Sequence, residues 1–251
     1  MRQFDVFVFD NSADFDSWEP SLEDEALGWF HTRNWNEDLN KLEAEWIVFA
    51  HPRINIDREF LNELAQATDG FPMVDAFAPR IKMRGNFFGG LLIQGSKGFS
   101  PISDKDGLRY VAAPNPFLGV FSRRIIQRTG IFDLDIPENL RLLDYALRMA
   151  HAGGRTFSIP YLVAKALDDK ITVDVAKIID GSFLDKEGSV KDLWPLMYKN
   201  LPHKTTFKYS LRHPSMLGKF FRTPPDLEEK RAKAVLLSKF SEKNMREASC
   251  K

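Results

Sequence analysis

Three groups of polar residues have the types and spacing that a ligand site requires. The first group, Asp10, Asn11 and Asp14, follows an apolar run from Phe4 to Phe9. Such a run is typical of a buried strand, and ligands of open α/β sheets bind beyond the carboxyl ends of the strands. These side chains are therefore candidates for ligand binding. Turn chemistry explains them equally well, because Asn, Ser and Asp all favour turns.

The second group, His51 to Arg53, follows the clearest strand pattern of the chain, WIVFA at Trp46 to Ala50. A continuous apolar run of this kind is typical of a central parallel strand. Arg53 cannot ligate a cation, but a guanidinium binds phosphate through two parallel hydrogen bonds. Between the two runs, a helix is predicted over residues 34–43, with Asn34 or Asn36 as its cap.

The third group is acidic and lies around a helix predicted from residue 139 to 152. Asp133, Asp135 and Glu138 precede this helix, and Asp144 and Arg148 lie four residues apart within it. The last two share a helix face, so they can form an ion pair. Apolar residues at three- and four-residue spacing predict one buried face, made of Leu140, Leu143, Ala146, Leu147 and Ala150.

The elements that must position these groups alternate between strand and helix patterns. Asp57 is predicted to cap a helix with an apolar inner face, and Ser122 a short helix that Gly130 closes. Gly153 and Gly154 are predicted to end the helix of the third group, where a positive φ is favoured. Further strands are predicted at Val74–Ala78, Leu91–Ile93, Leu118–Phe121 and Arg155–Ile159.

The composition is that of a water-soluble globular protein. The chain has 251 residues, 43% of them hydrophobic and 28% charged, with a formal net charge of zero. Its single cysteine, Cys250, excludes an intrachain disulfide, and no apolar run approaches the length of a membrane span. The first ten residues lack the apolar core of a signal peptide. We therefore expect a cytoplasmic protein.

Two blocks of the sequence resemble the second half of the catalytic domain of the inverting, family-two glycosyltransferases. The first block, VFSRRIIQRTGIFD, carries the Gly130, Phe132 and Asp133 of the family pattern. The second, LDYALRMAHAGGRTFSIP, carries Asp144 and Arg148, then a glycine and a strand that ends in proline. The resemblance covers about residues 4–163. It implies the GT-A fold, an α/β fold whose mixed, mostly parallel sheet is flanked by helices.

The resemblance implies a nucleotide-sugar donor, most simply of the UDP type, bound by Asp10, Asn11, Asp14, Asn34, His51 and Arg53. In the family, acids at the position of His51 and Arg53 hold Mn²⁺ or Mg²⁺, which stabilises the departing diphosphate. Those acids are not matched here, so we predict no metal ligand. Either Arg53 and His51 stabilise the departing diphosphate in place of the cation, or the chain has kept the fold and lost the donor site.

The resemblance also places the general base of the reaction. The family motif E–D–x–D falls on residues 141–144, where Leu142 occupies the position of the base and Asp144 alone is retained. Asp135 and Glu138 are then the candidate carboxylates for the catalytic base. Asp144 is a weaker candidate, because an ion pair with Arg148 already accounts for an acid at this position. Asp133 and Arg148 are expected on the acceptor side.

The C-terminal part is expected to be a basic helical appendage, residues 191–251, joined to a glycosyltransferase-like domain of residues 1–190. From Leu193 to Pro225, six Lys or Arg residues interleave with aromatic residues and no acid occurs. This pattern suits an anionic membrane surface, but also a basic subdomain packed on the acidic N-terminal half. We expect a saccharide or lipid-linked acceptor in polysaccharide or glycolipid assembly, and no nucleic acid. A catalytically inactive protein that binds a glycan or supports a partner is the alternative.

The sequence allows two layouts for the start of the domain. In the family, the strand that ends in a D–N–x–S–x–D pattern is the second strand, but only nine residues precede Asp10. Either Phe4 to Phe9 is the first strand of a compressed layout, or the first strand–helix unit is missing.

Overall fold

The computed structural model describes residues 4–10, 16, 18–20, 22, 27–93, 99–102, 107–167 and 187–236. Asn11, Asp14 and Cys250, for which predictions were made from the sequence, lie outside the described residues. The chain forms a central seven-stranded sheet, a second sheet, a small hairpin and a set of helices on both sides.

The central sheet has five strands that run in one direction and two that run in the other. In spatial order the strands are β10 (Arg109–Val111), β12 (Thr156–Ser158), β5 (Ala76–Phe77), β11 (Leu118–Ser122), β3 (Trp46–Ala50), β1 (Phe4–Phe9) and β2 (Leu27–Thr32). Strands β10 and β11 are the two that run opposite to the rest. The predicted α/β fold with a mixed, mostly parallel sheet is confirmed.

The remaining strands form a second sheet and a hairpin beside the central sheet. The second sheet consists of β4 (Ile54–Asn55), β13 (Val163–Ala166), β6 (Arg80–Met83) and β7 (Asn86–Phe88), and the hairpin of β8 (Leu91–Ile93) and β9 (Phe99–Pro101). Helices of the described chain are α1 (Arg58–Gly70), α2 (Arg123–Thr129), α3 (Glu138–His151), α4 (Glu187–Asn200), α5 (His203–Arg212), α6 (Pro214–Phe221) and α7 (Pro225–Leu236).

Strand β1 lies between the edge strand β2 and strand β3 of the central sheet. It pairs in parallel with β2 on one side and with β3 on the other. Because β1 and β3 are hydrogen-bonded neighbours, no further strand fits between them. This pairing is compatible with both a compressed layout and a missing first strand–helix unit.

Local sequence signals predicted most of the elements that carry the site. Every residue of β3 is buried, as expected of an interior strand. The carboxylate of Asp57 accepts a hydrogen bond from the Phe60 N–H at 2.9 Å, and the Ser122 hydroxyl accepts one from the Ile125 N–H at 3.3 Å. Gly130 and Gly153 follow their helices with φ of +83° and +88°. These caps were predicted, and they are confirmed.

The helix predicted over residues 34–43 is wrong: the structure has one 3₁₀ turn there, Leu39–Lys41. The Asn34 side-chain oxygen accepts a hydrogen bond from the Asn36 N–H, which holds a turn in place of a helix. The side chain of Trp35 is inserted into the core, where it stacks on Phe9 with ring centroids 4.2 Å apart. Tertiary packing and local side-chain hydrogen bonds thus override the helical pattern.

Helix α3 is buried on more than the one predicted face. Leu142, Tyr145 and Met149 also have no exposed surface. Tyr145 faces the sheet, with its ring edge-on to Phe121 of β11 at 5.5 Å, whereas Asp144 and His151 contact Lys199 and Asn200 of α4. The side chains of Trp194 and Met197 in α4 belong to the same hydrophobic core as the sheet. The domain boundary predicted between residues 190 and 191 falls inside α4.

Candidate functional site

The candidate site lies between β1 and β3, where the strand order reverses. Strand β2 pairs with one side of β1, and β3, the next strand of the sheet along the chain, pairs with the other side. Asp10 follows β1, and His51 to Arg53 follow β3, so the two groups meet at the carboxyl edge of adjacent parallel strands. Asn34 follows β2 on the same edge and is exposed. Such a topological switch point is where open α/β sheets bind ligands. The structure therefore brings Asp10, Asn34, His51 and Arg53 to one edge of the sheet.

Asp10 is a buried carboxylate at the floor of this edge. Its side chain is 5% exposed, and Oδ2 lies 3.5 Å from Nε2 of His31 at the end of β2. Its backbone N–H donates to the Thr32 carbonyl at 3.1 Å, which extends the pairing of β1 and β2 by one residue. The pairing of the two strands therefore fixes the backbone that carries this carboxylate.

The imidazole of His51 is oriented by the backbone that follows it. Its Nδ1 accepts a hydrogen bond from the Arg53 N–H at 3.2 Å, which leaves the proton of the neutral ring on Nε2. The ring packs edge-on against Phe117 at 4.8 Å and Phe9 at 6.0 Å. Burial lowers the pKa of His51 to about 4, although the charge of Asp10 raises it and that of Arg53 lowers it further. His51 is therefore a neutral hydrogen-bond donor at pH 7.

The turn that carries Arg53 is pinned on both sides. The His51 N–H donates to the Phe117 carbonyl at 2.9 Å, and the Ile54 N–H donates back to the His51 carbonyl at 2.9 Å. The Arg53 carbonyl accepts from the Leu167 N–H at 2.9 Å. The backbone of this half-buried arginine is thus fixed before any ligand arrives.

These residues do not fit a divalent cation. A metal bound through His51 Nε2 would require the opposite ring tautomer, whose Nδ1–H would face the Arg53 N–H. The guanidinium of Arg53 would add a positive charge beside the ion. No group of three or more His, Cys, Asp or Glu side chains is placed to hold a metal within the described ranges. The chemistry of this donor set suits an anion instead.

The neutral state of His51 predicts a loss of stability in mild acid. The pKa of His51 is about 4 when folded and 6.5 as a model group, so the unfolded chain takes up its proton first as the pH falls. The stabilisation is complete above pH 6.5 and is lost toward pH 4. Between pH 7 and pH 5 this group should lower the free energy of unfolding by about 2 kcal/mol, which urea titrations at the two values measure.

The charged groups that act on the pKa of His51 are Asp10 and Arg53. The His51→Gln variant provides the control, because its amide oxygen can still accept from the Arg53 N–H without titrating. Its pH dependence should be smaller than that of the wild type by about 2 kcal/mol. Equal pH dependence in both proteins would show that His51 is not buried as a neutral ring.

The acidic group is tied to the C-terminal helices by two lysines, the buried Lys199 and the half-buried Lys230. Asp133 accepts from Lys199 Nζ at 2.8 Å and from Lys230 Nζ at 3.1 Å, and Lys230 also contacts Asp135 at 2.5 Å. Burial alone would raise the pKa of Asp133, but the hydrogen bonds from both lysines outweigh it and hold the pKa at about 2. Asp135 remains 83% exposed and so is open to solvent.

Asp144 is a structural carboxylate in this arrangement. It is 1% exposed, and it contacts Arg148 Nε at 3.0 Å, Lys199 Nζ at 2.7 Å and Asn200 Nδ2 at 2.8 Å. The predicted ion pair with Arg148 is confirmed. Arg148 also donates to the carbonyls of Thr129 and Ile131, at 3.4 and 2.9 Å, and so holds the chain between α2 and α3. An acceptor hydroxyl reaches Asp144 only if these partners are displaced.

Leu142 and its neighbour Arg141 are held by contacts within the protein. Leu142 is fully buried. Arg141 donates to the Ile136 carbonyl at 3.0 Å, and its guanidinium lies 5.5 Å from the centre of the Trp35 ring. Glu138 opens α3 and is half-buried. Of the acids in this region, Asp135 is therefore the most exposed to solvent.

Trp35 links the polar edge of the sheet to the acidic group, and this role was not predicted from the sequence. The ring stacks on Phe9, which precedes Asp10, and meets Phe132, which precedes Asp133, edge-on at 4.9 Å. Asn36 accepts from the Phe132 N–H at 2.8 Å and donates to the Phe132 carbonyl at 3.0 Å. The two groups thus share one rigid aromatic bridge. Only the aromatic type of Trp35 and its proximity to an Asx turn hinted at a buried role.

This sheet order, with helices on both faces and a polar edge at the switch point, defines the GT-A glycosyltransferase fold. The structure resembles that of GalNAc-T7 with UDP, GalNAc and Mn²⁺, with a TM-score of 0.57 at 8% sequence identity over 92% of this chain. That match covers 54% of the GalNAc-T7 chain, so this chain spans about half of that structure. A likeness at this level of identity concerns the fold alone.

Two further glycosyltransferase structures match at TM-scores too low to support an argument. They are the mannosyltransferase PcManGT from Pyrobaculum calidifontis in complex with GDP-Man and Mn²⁺ (14% identity, 93% of this chain and 73% of that chain, TM-score 0.44) and S. aureus TarS 1-349 (13%, 93% and 90%, 0.45). No protein-family model and no curated protein matches the sequence. None of the helices in the described part of the chain has the length and apolar character needed to cross a bilayer.

Proposed function

We propose that this chain is a glycosyltransferase of the hexosyltransferase kind, which moves a sugar from a nucleotide-sugar donor to a saccharide or lipid-linked acceptor. The observation that carries the proposal is the switch point, where Asp10, His51 and Arg53 meet at adjacent strand ends of a glycosyltransferase fold. The reaction would serve polysaccharide or glycolipid assembly in the cytoplasm, with the protein peripheral to the inner membrane face.

The donor diphosphate would be bound by the turn after β3. The Nε2–H of His51 and the guanidinium of Arg53 are both hydrogen-bond donors, and the backbone of each is pinned. As the sugar departs, negative charge grows on the diphosphate, and fixed donors stabilise that charge without reorganising. A UDP-type nucleotide would extend along the edge toward Asp10 and Asn34, with Asn11 and Asp14 as further proposed contacts.

The acceptor would approach from the side of the acidic group. A carboxylate takes the proton of the acceptor hydroxyl, whose oxygen then forms the bond to the anomeric carbon while the bond to the diphosphate oxygen breaks and its electron pair leaves with the diphosphate. Asp135 is the leading candidate for this base because it is exposed, with Glu138 second. Asp144 is the weakest because it is buried among its partners. Asp133 and Arg148 would shape the acceptor side.

The proposal is tested by calorimetry with a panel of UDP- and GDP-sugars, each measured with Mn²⁺ and with a chelator. We expect one donor class to bind and to be hydrolysed slowly, and we expect chelation to leave its affinity unchanged, because the turn after β3 supplies donors and no ligand set for a cation. Binding that needs Mn²⁺ would contradict the metal-free part of the proposal while keeping the donor site.

A second candidate function is a non-catalytic glycosyltransferase-like protein that binds a glycan or supports a partner enzyme. It is favoured by the burial of Leu142 at the position of the base and by the complete engagement of Asp144. The same panel separates the two functions. Silence with every nucleotide sugar, together with binding to a glycan array, would overturn the enzyme and support the binding protein.

A further inference from the structure

Helices α5 and α6 form an exposed basic surface at the C-terminal side of the molecule. Lys204, Lys208 and Arg212 are spaced four residues apart on α5, so they form one stripe along its solvent face, and all three are exposed. Lys219 and Arg222, at the end of α6, are exposed as well. The stripe is therefore part of a wider cationic surface.

Apolar side chains project from the same surface. Phe207 of α5 contacts Phe220 and Phe221 of α6, with ring centroids 5.3 and 6.3 Å apart. Phe221 is nevertheless 71% exposed, and Leu211, beside the basic stripe, is 53% exposed. Large apolar side chains with this exposure, surrounded by cationic residues, are typical of a surface that binds a membrane or another protein.

The sequence left two explanations open for the basic segment: packing on acidic residues of the protein, or contact with an anionic membrane surface. Packing explains only part of the segment. Lys199 is 2% exposed and pairs with Asp133 and Asp144, so packing on the acidic core explains this residue. The other five basic residues from Leu193 to Pro225 face solvent. No acid occurs in that segment of the sequence, and acids resume only at Asp226 in α7. Among the described residues, packing therefore leaves the cationic surface of α5 and α6 unexplained.

We propose that the surface formed by α5 and α6 docks on the anionic face of a lipid bilayer. Phe221 and Leu211 would enter the boundary between headgroups and acyl chains, while Lys204, Lys208 and Arg212 lie among the lipid phosphates. A bilayer fits better than a nucleic acid because the apolar part includes an aliphatic side chain, Leu211, which has no ring on which a base can stack.

This inference deepens the proposed function, since a lipid-linked acceptor would be met at such a surface. Its test needs no sugar transfer, so its failure and that of the proposed function are distinguishable. The full chain is sedimented with vesicles of phosphatidylcholine alone and of phosphatidylcholine mixed with phosphatidylglycerol. We expect binding to the mixed vesicles only, and we expect added salt to weaken it.

A charge-matched pair of variants assigns the binding to this surface. Each basic side chain at a membrane surface contributes about fivefold to partitioning, so neutralising the α5 stripe should lower it on the order of a hundredfold. The stripe variant is Lys204→Gln/Lys208→Gln/Arg212→Gln. The control removes three exposed charges elsewhere and should bind as the wild type does: Lys41→Gln/Lys82→Gln/Lys233→Gln.

A third variant, Phe221→Ser, tests the apolar part and should lower binding about tenfold at constant charge. Three outcomes would overturn the proposal. They are equal binding to neutral and mixed vesicles, an equal loss in the stripe variant and its control, and no vesicle binding by a chain that binds duplex DNA through the stripe.

Discussion

The Lys199→Ala variant should lose about 3–5 kcal/mol of unfolding free energy. Lys199 is 2% exposed and lies 2.7 Å from Asp144 and 2.8 Å from Asp133. Removing the ammonium leaves these carboxylates partly uncompensated in a buried site, because desolvated charges are stable only when paired. Chemical denaturation at pH 7 measures the loss.

Lys230→Ala is the matched comparison for this prediction. Lys230 contacts the same Asp133 at 3.1 Å, but it is 30% exposed, so water can replace it. Exposed ion pairs contribute at most about 1 kcal/mol, and we expect a loss of that size. A Lys199→Ala protein as stable as Lys230→Ala would show that the network joining α4 to α3 does not hold the structure together.

The Arg53→Ala variant should weaken donor binding by about 1–3 kcal/mol, or roughly five- to 150-fold in the dissociation constant. A hydrogen bond to a charged group has this magnitude, and the pinned turn after β3 means that little order is lost on binding. The backbone hydrogen bonds that fix the turn do not involve the guanidinium and are retained in this variant. Calorimetry with the nucleotide sugar that binds best measures the change.

Arg58→Ala is the matched control. Arg58 is the exposed first residue of α1, five positions further along the chain, so this variant removes the same charge outside the turn. It controls for the general effect of charge on an anionic ligand and should bind as the wild type does. Normal binding by Arg53→Ala would mean that this guanidinium has no phosphate role.

The elements set by local signals were predictable from the sequence. The uniform apolar run of β3 and the capping residues Asp57, Ser122 and Gly130 act within a few positions of themselves, so their pattern is visible in one dimension. The switch point followed from these elements, because strand ends at one edge of a sheet bring Asp10 and His51 together.

What the sequence did not reveal depends on contacts between distant segments. Lys199 meets an aspartate 66 positions earlier in the chain, and Lys230 one 97 positions earlier, and no local spacing encodes either pair. Helix periodicity also failed at Trp35, because burial against Phe9 and Phe132 outweighs a weak helical preference. The orientation of His51 rests on one backbone N–H of the following turn, which only coordinates reveal.

The central claim is that a sugar diphosphate is held by hydrogen-bond donors at the end of β3 in place of a metal ion. A crystal structure of the protein with UDP and Mn²⁺ tests it most directly. The claim predicts diphosphate oxygens within hydrogen-bond distance of His51 Nε2 and the Arg53 guanidinium, with no cation between them. A diphosphate held through Mn²⁺ by protein carboxylates, or bound away from this turn, would contradict it.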